Sequence, residues 1–104
     1  MFGLYPNSFK EIISIFQKYE SIEKVIIYGS RAKGNHKEGS DIDLILFGTI
    51  KHNELMQLLN ELDESYIPYL FDISIYNELQ SESLIEHVNR VGKIFYQKTE
   101  INSE

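Results

Sequence analysis

The stretch VIIYGSRAKGNHKEGSDIDLIL, residues 25–46, joins two apolar segments through a connection rich in glycine and polar residues. Residues 25–28 are a short β-branched and aromatic run that Gly29 ends, which is typical of a buried strand. In residues 41–46 carboxylate and apolar side chains alternate before the segment becomes wholly apolar, and this predicts a second strand with a polar beginning. The connection between them holds about a dozen residues with little apolar content, so it is a poor candidate for a packed crossover helix. The two strands are therefore expected to run antiparallel.

Helical spacing of apolar residues on either side of this stretch predicts the other elements. They are a helix that opens at Pro6-Asn7-Ser8 and runs to about Tyr19, one helical turn after Ser30, a helix from roughly His52 to Glu64, a strand over residues 69–75, and a last helix over residues 84–91 that Gly92 ends as its C′ residue. Ser8 and Glu11 have the spacing of a capping box. The expected fold class is α/β (α+β), a small mixed sheet of at least three strands with flanking helices.

Length and composition limit the classes of protein that this chain can represent. It has 104 residues, a formal charge of −6, 42% hydrophobic residues and no cysteine. These values predict a single domain, residues 1–104, with a frayed polar tail from 97 to 104. They exclude a disulfide framework and cysteine-based metal sites or nucleophiles. The acidic balance argues against direct nucleic-acid binding, and no apolar run is long enough to span a membrane. A cytoplasmic location is expected.

Three aspartates point to a metal site. Asp41 and Asp43 are two residues apart on a predicted strand, so both side chains point to the same face, with Cα atoms about 6.5 Å apart. Like charges this close repel each other unless a cation neutralises them, and hard oxygen ligands at this spacing suit Mg²⁺. Asp72 interrupts an otherwise apolar third strand. Three carboxylates at one sheet edge could hold two metals, or hold one and deprotonate an attacking hydroxyl.

A glycine–serine pair beside these aspartates predicts an anion site. Gly29 and Ser30 close the first strand, where free backbone N–H groups and a hydroxyl can meet a phosphate. Residues 29–40 carry three basic side chains and one acidic side chain inside an acidic protein. Two members of this segment keep two interpretations each. Arg31 is either a phosphate ligand or a solvated salt-bridge partner, and Ser40 either helps to bind phosphate or caps the start of the strand.

The spacing of these residues resembles a known pattern. Gly29-Ser30, ten intervening residues and then Asp41-Ile42-Asp43 are similar to the signature of the DNA-polymerase-β-like nucleotidyltransferase superfamily, and Asp72 fits its third acidic position. The segment GSRAKG and the closing segment RVGKIFY, residues 90–96, most resemble the minimal MNT-type branch. The resemblance covers nearly the whole chain, from about residue 9 to residue 96. It implies a polymerase-β-like palm fold.

The resemblance also implies functional roles. Asp41, Asp43 and Asp72 would be catalytic residues and ligands of Mg²⁺, most often two ions, with Asp72 also acting as general base. Gly29 and Ser30, assisted by Arg31 and Ser40, would bind the nucleotide, a nucleoside triphosphate that is typically ATP.

In that branch AMP moves to a hydroxyl acceptor, such as a tyrosine of a small all-helical HEPN-type RNase toxin that the chain neutralises as its antitoxin. Two alternatives remain: a non-catalytic nucleotide-binding antitoxin that acts by binding alone, and a nucleotidyltransferase for small molecules. The acceptor would come from a partner protein or from a second copy of the chain in a homo-oligomer.

Overall fold

A computed structural model describes residues 2–37 and 39–99, and its elements follow the predicted order. They are α1 Pro6–Gln17, β1 Lys24–Tyr28, α2 Ser30–Lys33, β2 Ile42–Phe47, α3 His52–Glu64, β3 Phe71–Ile75, a 3-10 turn Tyr76–Glu78, α4 Glu82–Val91 and β4 Lys93–Gln97. The single helical turn after Gly29 and the bounds of α3 agree with the sequence prediction. No helix within the described part of the chain is long and apolar enough to cross a membrane.

The four strands form one mixed sheet in the order β3-β2-β1-β4. β1 pairs antiparallel with both β2 and β4, whereas β2 and β3 are parallel. The antiparallel pairing of β1 with β2 confirms the prediction made from their short connection. The β2–β3 pair is parallel because α3 supplies the long crossover that parallel neighbours need. The fold is the α+β arrangement expected from the sequence.

The main core lies where α1 and α3 meet one face of this sheet. Ile12 and Phe16 of α1 and Leu58 of α3 are almost completely inaccessible to solvent. Alternate residues of β2 point to opposite faces. Leu44 and Leu46 therefore belong to this core, and the side chain of Asp43 projects from the other face. This alternation places Asp43 on the face opposite to the α1 and α3 core, and Ile45 on that same face is buried as well.

Several local predictions need correction. Ser8 does not cap α1: the helix begins at Pro6, whose missing N–H costs nothing in the first turn, and Ser8 is buried inside the helix. Gly92 has an extended backbone, with φ −67°, and not the left-handed C′ conformation. An added Cβ there would lie 2.5 Å from Ile26 Cγ2, so close packing explains this glycine better than backbone freedom does.

The C-terminal part of the chain is more ordered than predicted. Gln97 belongs to β4, and the backbone N–H of Lys98 donates to the Glu23 carbonyl at 2.9 Å. Gln97 and Lys98 are therefore bound to the sheet rather than frayed, Thr99 is exposed without regular structure, and residues 100–104 of the predicted tail lie outside the described residues. β4 was missed as a strand because it holds only three apolar residues in a row, Ile94 to Tyr96, and begins at Lys93 directly after a glycine.

Candidate active site

The pairing of β1 with β2 places the glycine–serine segment directly against one of the aspartates. Tyr28, the last residue of β1, is opposite Asp43 in the register. A Cβ on Gly29 would lie 2.5 Å from Asp43 Oδ2. The backbone of Gly29 has φ +79° and ψ −156°, a region that essentially only glycine occupies. Position 29 thus requires glycine for two reasons, its backbone conformation and its contact with a carboxylate.

The parallel pairing of β2 with β3 brings a second aspartate to the same place. Asp43 and Asp72 are direct partners in the register, so their side chains leave the same face of neighbouring strands. Neighbouring strands are only about 4.8 Å apart. Asp41 lies two residues before Asp43, at the same end of β2. The structure therefore places the three aspartates that the sequence singled out at one end of β2 and β3, next to Gly29.

Burial and the charges of the two neighbouring aspartates both act on the carboxyl group of Asp43. The pKa of Asp43 is raised, first by burial and then by the negative charges of Asp72 and Asp41. The pKa of Tyr28 is raised in the same way, by burial and then by Asp72 and Asp43. Asp41 and Asp72 themselves are exposed. Asp43 thus carries both the desolvation and the like-charge cost of the cluster.

The donor set suits a divalent cation, although it is not pre-arranged as one. Among residues 2–37 and 39–99, no three His, Cys, Asp or Glu side chains already stand close enough together to hold a metal ion. Carboxylates that repel one another are nevertheless the hard oxygen donors that Mg²⁺ takes, usually one or two together with phosphate oxygens of a substrate. A cation here would counteract both the burial and the repulsion that raise the pKa of Asp43.

The backbone that follows Gly29 offers N–H groups at the same edge of the sheet. The first intrahelical bond of α2 runs from the Lys33 N–H to the Gly29 carbonyl at 3.2 Å. The N–H groups of the preceding positions, from Ser30 to Ala32, come before any intrahelical acceptor. They are available to an anion beside the three carboxylates. This arrangement is the one expected of Gly29 and Ser30, whose contact with phosphate stays a prediction.

Arg31 and Ser40 are tied to each other rather than to the aspartates. The guanidinium is buried, with 3% of the residue exposed. Its Nε and Nη2 donate to the Ser40 carbonyl at 3.1 and 2.9 Å, and its Nη1 donates to the Phe2 carbonyl at 3.0 Å. The Ser40 hydroxyl donates to the Lys37 carbonyl at 2.6 Å. Both residues therefore shape the loop that delivers Asp41, and their contact with phosphate stays a prediction.

Sequence reasoning missed two residues at this site, Tyr28 and His87. Tyr28 was taken only as part of an apolar strand and His87 as an ordinary surface or edge residue. In the structure their rings meet edge to face, with centroids 6.3 Å apart, and Tyr28 lies within electrostatic reach of Asp43 and Asp72. The signal for Tyr28 was its position before Gly29, because an antiparallel partner of the aspartate strand must put its last residue opposite a carboxylate. Nothing in the sequence signalled His87.

Comparison with known proteins agrees with this geometry. The family described as "Polymerase beta, Nucleotidyltransferase" matches residues 10–101. A protein of Methanocaldococcus jannaschii that carries the name of a putative protein adenylyltransferase is 27% identical in an alignment 96 residues long, which covers 86% of this chain and 96% of that protein.

Solved structures share the fold. A chain of a toxin–antitoxin crystal structure with AMP-PNP matches with a TM-score of 0.68 and 19% identity, over 86% of this chain and 73% of that one. A chain from the complex of tri-AMPylated Shewanella oneidensis HEPN toxin with MNT antitoxin matches with a TM-score of 0.63 and 17% identity, over 88% and 71%. With three aspartates converging beside a glycine–serine turn on this fold, the chain belongs to the polymerase beta nucleotidyltransferase family and is an enzyme of nucleotidyltransferase type.

Proposed function

We propose that this chain transfers AMP from ATP to a tyrosine hydroxyl of a small helical HEPN-type RNase and thereby acts as its antitoxin. The observation that carries the proposal is the environment of the Asp43 carboxylate. Gly29 packs directly against it, and the negative charges of Asp72 and Asp41 act on it. The adenylyltransferase name of the Methanocaldococcus relative and the AMPylated toxin complex among the structural neighbours support the choice of AMP and of the acceptor. The proposed compartment is the cytoplasm.

The proposed chemistry assigns a role to each residue of the cluster. Asp41, Asp43 and Asp72 would hold one or two Mg²⁺ ions. When bound, these ions would neutralise the negative charge of the triphosphate. The N–H groups after Gly29 and the Ser30 hydroxyl bind the phosphates that leave. The acceptor oxygen attacks the α-phosphorus, the bond to pyrophosphate breaks, and the acceptor proton passes to a carboxylate. Asp72 suits this last role because it is exposed toward an incoming acceptor.

Transfer of label from ATP to the partner tests the proposal. The purified chain, a purified HEPN-type RNase, Mg²⁺ and α-labelled ATP are expected to give label on a tyrosine of the RNase. Asp41→Asn should lower labelling by about a hundredfold or more, since one ligand of the cluster loses its charge. Asp63→Asn, an exposed aspartate on α3 outside the cluster, is the matched control and should label as the wild type does.

The same experiment separates the two other functions. If the RNase is neutralised without label, and Asp41→Asn neutralises it equally well, the chain is a non-catalytic antitoxin. If label goes to a small hydroxyl compound and never to the protein, the chain is a small-molecule nucleotidyltransferase. Either result would refute transfer to the partner's tyrosine while leaving the nucleotidyltransferase family unchanged.

Binding of Mg²⁺ with a non-hydrolysable ATP analogue is expected to stabilise the fold. At an analogue concentration tenfold above Kd, stabilisation of about 1.4 kcal/mol follows, which raises Tm by several degrees in a domain of this size. Chelation of the metal with EDTA should remove most of the shift, and Asp43→Asn should reduce it, whereas Asp63→Asn should retain it. A shift that is as large in EDTA as in Mg²⁺ would rule out the carboxylates as the metal site.

A further inference from the structure

A cavity of about 1080 Å³ lies next to Arg31, and its walls include none of the three aspartates. It is bounded by the N-terminal segment, the loop after α2, the C-terminal half of α3 and the chain that leads into β3. Its lining includes the polar side chains of Arg31, His36, Asp63 and Tyr69. Its volume reaches that of small-molecule sites, which usually measure 300–1,000 Å³.

Most of the wall of this cavity is apolar. Leu59 and Leu62 come from α3, and Ile67 and Phe71 come from the segment that enters β3. Leu70 extends this apolar lining to the rim, where 73% of its surface is exposed. The wall and rim therefore suit a molecule with a sizeable apolar part.

The floor of the cavity is cationic and holds polar groups that are not fully used. Three of the five N–H groups of the buried Arg31 donate to the carbonyls of Phe2 and Ser40. No described carboxylate forms an ion pair with Arg31. The Tyr69 ring lies 5.1 Å from the guanidinium carbon, and the Tyr69 hydroxyl accepts from the Tyr5 N–H, so its own proton remains free to donate.

A second polar group here has no partner. The Nδ1 atom of His36 is buried and makes no hydrogen bond with the described residues, which is costly for an imidazole nitrogen. The His36 ring also packs on Gly3, where an added Cβ would overlap it. A buried cation without an ion pair and a ring nitrogen without a hydrogen bond, both judged among residues 2–37 and 39–99, line the same cavity and favour an anionic oxygen group there.

We propose that this cavity binds a small apolar acid, with the acid group on Arg31, His36 and Tyr69 and the apolar part against α3. The acid would use the two remaining N–H groups of the guanidinium and satisfy the orphaned Nδ1 atom of His36. Asp63 is the opposing charge in the lining, but it is exposed on the rim, where solvent and salt screen it. The lining includes none of the three aspartates, so the proposal does not depend on the proposed function, although Arg31 follows Ser30 and Phe71 precedes Asp72 in the chain.

Three eight-carbon probes that differ only in their head group test this site on the intact protein. Octanoate is expected to shift the backbone amide resonances of cavity residues in a saturable way. Octanol and octylammonium should bind about tenfold or more weakly, because an uncharged or positive head group lacks the charge-assisted hydrogen bonds to Arg31. Binding is read by NMR titration, so it requires no transfer activity.

Variants on α3 locate the binding. Leu59→Trp fills the cavity and should abolish the octanoate shifts, whereas Met56→Trp adds the same ring on an exposed position of the same helix and should keep them. His36→Phe, which retains an aromatic ring without Nδ1, should weaken octanoate about tenfold or less and leave octanol unchanged. Equal binding of the three probes, or octanoate binding that survives Leu59→Trp, would overturn the proposal. So would cavity shifts that a protein partner produces and octanoate does not.

Discussion

Replacing Asp43 by asparagine is expected to lower the rate of nucleotidyl transfer by about a thousandfold while the chain stays folded. A loss of this size corresponds to roughly 4 kcal/mol of transition-state stabilisation. Asp43 is the member of the cluster with Gly29 against its carboxylate and both other aspartates within electrostatic reach. Asparagine has nearly the same shape but cannot carry the charge that a metal-bound triphosphate needs. The loss should appear in kcat, measured with α-labelled ATP.

The thermal stability of Asp43→Asn should stay equal to that of the wild type or rise, although its transfer rate falls. Because the pKa of Asp43 is raised in the fold from its ordinary value of 3.8, the folded state binds this proton more tightly than the unfolded state does. Ionisation of Asp43 therefore costs stability, and the cost develops as pH rises from about the ordinary value through the raised one. Asparagine removes it. At neutral pH, Tm of Asp43→Asn is expected to equal or exceed that of the wild type.

The comparison between proteins over pH 4 to 7 isolates this residue from the other carboxyl groups. The difference in Tm between Asp43→Asn and the wild type should grow as pH rises through the raised pKa and then level off. Asp63→Asn, an exposed aspartate on α3, should show no such dependence. A variant that unfolds at neutral pH, or one that transfers AMP as fast as the wild type, would show that Asp43 has been given the wrong role.

The sequence predicted the placement of Asp41 and Asp43 beside Gly29, because that placement depends on residues that are close together in the chain. Alternation in residues 41–46 determines that Asp41 and Asp43 share a face, and the short connection forces β1 to run antiparallel to β2. These two facts alone put Gly29 next to Asp43, as the structure has it. The position of Asp72 depends on one more long-range fact, the parallel register of β2 and β3, which the residues alone did not predict.

What the sequence could not predict depends on tertiary contacts. The sequence left Arg31 open as a phosphate ligand or a solvated salt-bridge partner, and it did not predict that the guanidinium is buried and donates to the carbonyls of Phe2 and Ser40. His87 lies beside Tyr28 only because α4 folds back over β1. β4 pairs with β1 across a bulge near Val25, so its contribution to the sheet has no signal in its own five residues.

Replacing Gly29 by alanine should impair the site by a different route, through the position of Asp43 rather than its charge. The new Cβ would lie 2.5 Å from Asp43 Oδ2, so either the carboxylate or the strand end must move. A displacement of about 1 Å in an active site can cost a hundredfold in rate, and that is the loss expected here. The glycine-only backbone of residue 29, with φ +79° and ψ −156°, adds a stability cost of about 1–3 kcal/mol.

Gly34→Ala is the matched control for backbone strain. Gly34 ends the same helical turn with φ +81° and ψ 7°, and a Cβ there would meet no atom within 4 Å. Gly34→Ala should lower the free energy of unfolding by about 1–2 kcal/mol, because alanine is unfavourable in the left-handed conformation, and its new Cβ contacts no residue of the site. Both variants should lose thermal stability, Gly29→Ala more than Gly34→Ala, and rates are compared well below the lower Tm. If the two variants lose activity equally, loop strain and not the contact with Asp43 governs transfer, because only Gly29 borders that carboxylate.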